Sequence, residues 1–241
     1  MRHGTFAPLA GAMAVAALAL PAAAPAATIN PDRPCARYVP TLGQPTWQAI
    51  GTGFTPSQVV TVRADDQLVG SAAADATGAL ALPALAPSLK SANTNEQTFT
   101  LNASDAAGLA ATPSQLRVVR LTVDLPDQAR PRSRVLYRAY GFAAGTGVYL
   151  HVRRGGQTRG RFSLGKAKGD CGKTSKRMRY MPLSRYRTGT YEYWFSQSRR
   201  YSTQTHIYGV KITIFRRIRS SSASAATAAS TLGARVTPIS K

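Results

Sequence analysis

A Gly-Phe pair that leads, after the same interval, into an alternating strand occurs twice in this chain. Gly53-Phe54 precedes Val60-Thr61-Val62, and 88 positions later Gly141-Phe142 precedes Val148-Tyr149-Leu150 in the same register. Similarity at so long a period points to tandem units of one architecture, and it narrows the fold more than any other feature. The local pattern says which architecture. Val60, Val62 and Ala64 alternate with polar neighbours, as do Val148, Leu150 and Val152 with Tyr149, His151 and Arg153. A period of two sends successive side chains to opposite faces of a sheet. Further strands are expected at 47–51, 78–82, 98–102 and 115–119, then at 134–141, 157–164, 176–181, 189–196 and 206–216. Turns are expected at Asp65–Gly70 and Arg154–Gln157, and clusters of Gly, Pro, Asn and Asp separate the remaining segments. No stretch after the first 26 residues keeps an apolar face at helical spacing between caps. The fold class is therefore all-β: two tandem antiparallel β-sandwiches, residues 27–120 and 121–219, meeting at Arg120-Leu121.

The two ends read differently. Arg2 and His3 precede an uncharged apolar run from Phe6 to Leu20, and Ala24-Pro25-Ala26 offers a small-residue cleavage site. Residues 1–26 are thus expected to be a secretory signal peptide. The mature chain is then secreted or held at the cell surface. Residues 220–241 open on a Ser/Ala/Thr run and are expected to form a disordered low-complexity tail. Export permits disulfides, and the chain has two cysteines, Cys35 and Cys171, in different halves. A bridge between them is expected to stabilise by about 4–5 kcal/mol on the chain-entropy model. Two separate thiols are the alternative.

Charge divides the chain sharply. Residues 28–129 hold six Lys/Arg and eight Asp/Glu, a net of −2, whereas residues 130–219 hold 22 Lys/Arg against Asp170 and Glu192, a net of +20. A domain so cationic attracts polyanions. Arg177-Met178-Arg179-Tyr180, Arg185-Tyr186-Arg187 and Arg199-Arg200-Tyr201 interleave cations with tyrosines. Guanidinium forks bind phosphate or carboxylate, and tyrosines stack on bases or sugars. The candidate polyanion-binding residues are Arg153, Arg154, Arg159, Arg161, Arg177, Arg179, Arg185, Arg187, Arg199 and Arg200. On a strand, Arg177 and Arg179 would share one face, with Met178 and Tyr180 on the other. An equally weighted reading makes the arginines a product of composition bias and solubility.

The run Gly51-Thr52-Gly53-Phe54-Thr55-Pro56, with Val60-Thr61-Val62 and Ala74-Asp75-Ala76-Thr77-Gly78, resembles the immunoglobulin-like repeats of bacterial secreted and surface proteins over residues 45–120. The second half resembles them more loosely. Its Gly189-Thr190-Tyr191-Glu192-Tyr193 is similar to the opening of the penultimate strand, where a corner tyrosine bonds back to the backbone. Tyr193 stands where antibody domains have their second cysteine. The resemblance implies immunoglobulin-like sandwiches and a structural or adhesive module.

Catalytic signatures are sparse. Beyond the leader the histidines are His151 and His206, both read as solvent-facing. There is no Gly-x-Ser-x-Gly elbow, Walker loop or His-Glu-x-x-His. Asp170 and Glu192, alone among 22 cations, are expected to be ion-paired. Asp65-Asp66 with Asp75 reads as a solvated turn rather than a calcium site. The expectation is a non-enzymatic protein without cofactor or metal. Its partner would be an anionic polymer, either cell-wall polysaccharide or nucleic acid. A purely structural envelope protein and an enzyme with an unrecognised site are the alternatives.

Overall fold

The computed structural model describes residues 26–39, 44–202, 206–217 and 231–239. All but the last residue of the expected leader lies outside them, as do residues 220–230 and 240–241 of the expected tail. Every helix or strand among the described residues is a strand. The chain up to Arg120 forms β1 (Thr28–Pro31), β2 (Cys35–Tyr38), β3 (Thr46–Thr52), β4 (Val59–Ala64), β5 (Gln67–Ala73), β6 (Leu80–Leu85), β7 (Glu96–Asp105) and β8 (Ser114–Arg120). These make a three-stranded sheet, β1-β3-β6, and a five-stranded sheet, β2-β8-β7-β4-β5. Alternation does what the sequence requires. Trp47 and Ala49 from one sheet meet Val60, Val62, Phe99, Leu101 and Leu116 from the other in a single core.

The remainder builds a second core. Its strands are β9 (Thr122–Asp124), β10 (Gln128–Ala129), β11 (Arg134–Tyr140), β12 (Gly147–Arg154), β13 (Gln157–Lys166), β14 (Thr174–Arg179), β15 (Gly189–Ser196), β16 (His206–Arg217) and β17 (Thr231–Pro238). They form a six-stranded sheet, β10-β17-β16-β15-β12-β13, and a three-stranded sheet, β14-β11-β9. Val148, Leu150 and Val152 of the first pack with Tyr137 and Ala139 of the second. The core changes over between Val118, in the first cluster, and Leu121, in the second.

The Gly-Phe repeat has a shared structural cause. The Phe54 N–H donates to Gly78 O at 3.1 Å, and the Phe142 N–H donates to Gly172 O at 3.1 Å. Both acceptor glycines have positive φ, 77° and 57°. A Cβ on Gly78 would fall 2.2 Å from Phe54 O, and one on Gly172 would fall 1.5 Å from Phe142 O. In each half a buried phenylalanine is therefore pinned by its backbone to a distant turn that only glycine can form. Each copy then ends in a two-residue hairpin, Asp65-Asp66 between β4 and β5 and Gly155-Gly156 between β12 and β13. A register shift precedes both turns, at Val62/Arg63 and Val152/Arg153.

Three expectations need correction. β2 and β8 run parallel, so the five-stranded sheet is not wholly antiparallel. The cause is a crossing: after β1 the chain passes from one sheet to the other over Asp32–Pro34 and keeps its direction. Thr28 accordingly bridges Thr112 in the same parallel sense. The expected Asp65–Gly70 turn is only its first two residues, and β5 begins at Gln67. Thr231–Pro238, placed in the disordered tail, is a strand paired along its length with β16. Ala234, fully buried against the second core, explains why it docks.

Cys35 and Cys171 are bridged, with their Cα atoms 5.4 Å apart across a sequence separation of 136. The bridge joins β2 to the Gly169–Gly172 turn. Beside it, Arg37 Nη1 donates to Gly141 O at 3.2 Å, Leu121 N donates to Tyr38 O at 2.7 Å, and Lys173 pairs with Glu96. Thiol titration of the denatured, unreduced protein should find no free thiol. Replacing both cysteines by serine should lower stability by about 4–5 kcal/mol. Two titratable thiols would contradict the bridge.

Candidate polyanion-binding groove

The ten candidate arginines fall into two groups. The first is engaged within the fold. Arg153 Nη1 donates to Tyr201 Oη at 2.7 Å, its guanidinium lies 4.1 Å from the centre of that ring, and it pairs with Glu192 at 3.8 Å. Arg154 donates to Tyr191 Oη at 3.2 Å and to Thr188 O at 2.9 Å. Arg161 Nη1 donates to Arg199 O at 3.0 Å, and Arg199 Nε donates to Tyr149 Oη at 3.1 Å. The second group is Arg159, Arg177, Arg179, Arg185, Arg187 and Arg200. All six are exposed, and their side chains make no hydrogen bond or ion pair among the described residues.

The arginine–tyrosine contacts explain the interleaved pattern. Tyr191 Oη accepts from Arg187 N at 2.9 Å and donates to Arg187 O at 3.2 Å, closing a corner four residues upstream. Arg154 caps that corner from outside. Tyr193 is fully buried in the second core and donates to Tyr180 O at 2.7 Å. Tyr137 Oη donates to the same carbonyl at 2.7 Å and to Arg179 O at 3.3 Å. Burial raises the pKa of both phenols, so they remain donors. Together they clamp the end of β14 from inside, which fixes the strand whose outer face carries Arg177 and Arg179.

His151 is not solvent-facing: it is 1% exposed. It lies on the face of β12 opposite Leu150 and Val152, and the segment after β15 folds over it. Tyr201 meets its ring edge-on at 5.7 Å. Its Nε2 is 3.0 Å from Ser196 Oγ and 3.1 Å from Ser198 O. A carbonyl only accepts, so Nε2 carries the proton and cannot serve as a base towards Ser196. Ser196 is itself 1% exposed. The pair is a structural tie. Of the two acids of the basic half, Glu192 pairs with Arg153 and accepts from Trp194 Nε1 at 3.1 Å. Asp170 is exposed and makes no ion pair among the described residues. The side chain of His206 lies outside what is described. In the first half, Asp75 accepts the N–H groups of Thr77 and Ala79, and Asp65 accepts that of Thr100.

One site gathers cations, of which Arg134, Arg177 and Arg179 make no side-chain hydrogen bond among the described residues. Between β13 and β14, the outer strands of the two sheets, runs a groove of about 650 Å³ lined by Arg134, Arg161, Lys176, Arg177 and Arg179, with Phe162, Met178 and Pro182 as its apolar part. Ser163 completes the lining, and no acid takes part. Arg134 and Arg179 stand directly opposite each other in the β11–β14 register. Like charges so placed repel. Met178 packs on the core and Tyr180 is buried, so the adjacent arginines face out. Arg134 and Lys176 were not singled out from the sequence. Pairing of β11 with β14 brings Arg134 to Arg179, and Lys176, next to Arg177 in the chain, reaches across to Ser163 O of β13 at 2.7 Å. The groove does not include Arg153, Arg154, Arg159, Arg185, Arg187, Arg199 or Arg200.

No protein-family model matches the chain, and no curated protein matches it significantly. Among solved structures, the D00-D0 domain of intimin is similar at 11% identity, over 73% of this chain and 94% of that one, with a TM-score of 0.31. A likeness of that size fixes neither family nor function.

Burial holds the pKa of His151 below its ordinary 6.5, and the Arg161 cation nearby acts in the same direction against the Ser198 hydrogen bond. The native state thus binds this proton less readily than the unfolded chain. The resulting stability is present above pH 6.5 and is lost as pH falls through the lower native value. Denaturant midpoints should decline over that range, and His151→Asn should flatten the decline. Identical pH profiles for the two proteins would contradict this role.

Proposed function

We propose that the protein acts outside the cytoplasm as a non-enzymatic, structural or adhesive protein of two tandem immunoglobulin-like β-sandwiches, the second of which binds anionic polymers. The observation that carries this reading is the acid-free groove of Arg134, Arg161, Lys176, Arg177 and Arg179. Charges placed only for solubility would scatter and pair with acids. Here two guanidinium groups oppose each other across a strand pair with no counter-charge between them, and an anion lying along the groove would relieve that repulsion. The first half, with a net charge of −2, would serve as spacer or adhesive unit. Its disulfide to the second half would keep the groove at a fixed place relative to it.

Affinity for heparin or duplex DNA, titrated against salt, tests the reading. Four or five engaged cations predict a log–log slope of about −3.5 to −4.5 on duplex DNA. Reversing Arg177 and Arg179 to glutamate should cost about tenfold or more and reduce the slope. The same reversal at Arg130 and Lys211, outside the groove, should cost much less. Equal losses at both pairs, or no binding at low salt, would contradict a binding face.

A further inference from the structure

Resting on that reading, we propose that the polymer the groove accepts is single-stranded nucleic acid. Three features of the lining lead there. First, Arg134, Arg177 and Arg179 make no side-chain hydrogen bond among the described residues, so phosphates can engage their forks without displacing an internal partner. Second, the lining is almost devoid of acceptors. Arginine and lysine only donate, and Ser163 supplies the one acceptor side chain. A polysaccharide presents hydroxyls that need acceptors as well as donors, and this groove would leave them unmatched. A polymer rich in phosphate fits better.

Third, the groove has an apolar part within reach of those cations. Phe162 is half-buried and packs on the second core, with Met178 and Pro182 beside it. Its ring is held in place over Gly160, where an added Cβ would come 2.8 Å from Phe162 Cε2 and 2.7 Å from Leu183 Cδ2. A purely charged chain such as polyphosphate has no use for that surface. A single strand does, because its unpaired bases can turn away from the backbone and stack on an aromatic ring while the phosphates meet the arginines. In a duplex the bases are paired and stacked among themselves, and they cannot reach Phe162.

The test compares oligothymidylate, linear polyphosphate of matched charge and heparin, each titrated against the full chain. Phe162→Leu keeps apolar packing but removes the ring. It should weaken oligothymidylate binding about fivefold or more, while polyphosphate and heparin change by less than about twofold. Phe162→Tyr should keep binding near the parent level, which separates loss of the ring from a folding defect. An unchanged oligothymidylate affinity in Phe162→Leu, or an equal loss for all three polymers, would overturn the assignment. The broader reading fails separately. If Arg177→Glu with Arg179→Glu abolishes binding while Phe162→Leu changes nothing, polyanion binding stands and the nucleic-acid assignment falls. If no polymer binds, both fall.

Discussion

The contact between Phe142 and Gly172 is the constraint on which the second half depends. At that point two backbones approach so closely that no side chain fits, and the Phe142 N–H is satisfied by the Gly172 carbonyl. The contact pins the end of β11 to the turn between β13 and β14. That turn decides where the chain leaves the six-stranded sheet and enters the three-stranded one. It therefore sets the separation of the two outer strands that bound the cationic groove. Cys171, one residue before Gly172, ties the same turn to β2 of the first half. Phe54 and Gly78 repeat the arrangement in the first half without a cysteine, where Asp75 organises the turn through the N–H groups of Thr77 and Ala79.

Arginine is used in two distinct ways. Arg153, Arg161 and Arg199 bind tyrosine hydroxyls and a carbonyl and so hold the segment after β15 to β12 and β13, while Arg154 holds the corner at the start of β15. Planar forks suit that task, since one group satisfies two acceptors and lies on a ring. The contacts of Arg153 with Tyr201 and of Arg154 with Tyr191 are part-buried and so less screened than exposed ion pairs, whose median contribution is about 0–1 kcal/mol. Arg134, Arg177 and Arg179 have no such employment. Their strands are fixed from inside by Tyr137 and Tyr193, which leaves the guanidinium groups outside and without partners of their own. Bulk charge does not distinguish these two uses; the hydrogen bonds do.

Much of this was legible in the sequence because it is local. Alternation gave β4, β12, β15 and β16 with bounds close to those observed, and the Gly-Phe repeat marked a real common device. Tyr191 does bond back to the backbone, and the two cysteines do pair. What failed to show was long-range. His151 alternates with apolar residues like any solvent-facing position, and it is buried only because a segment some 45 residues later closes over it. β17 follows a low-complexity run and pairs with β16 through a register that no local pattern announces. The parallel β2 depends on a crossing between sheets. Arg134 belongs to the groove only through β11–β14 pairing and lies in none of the arginine–tyrosine runs, whereas the candidates Arg153 and Arg154 are occupied within the fold.

Steric closeness at Gly172, more than its φ alone, organises the second half. Gly169 lies in the same turn, also with positive φ, but nothing lies within 4 Å of the position its Cβ would take. The decisive measurement is the thermal stability of Gly172→Ala beside Gly169→Ala. The left-handed conformation alone should cost Gly169→Ala about 1–2 kcal/mol. Gly172→Ala should cost several kcal/mol more, because Phe142 must give way and its hydrogen bond is lost. Equal melting temperatures for the two variants would contradict the claim.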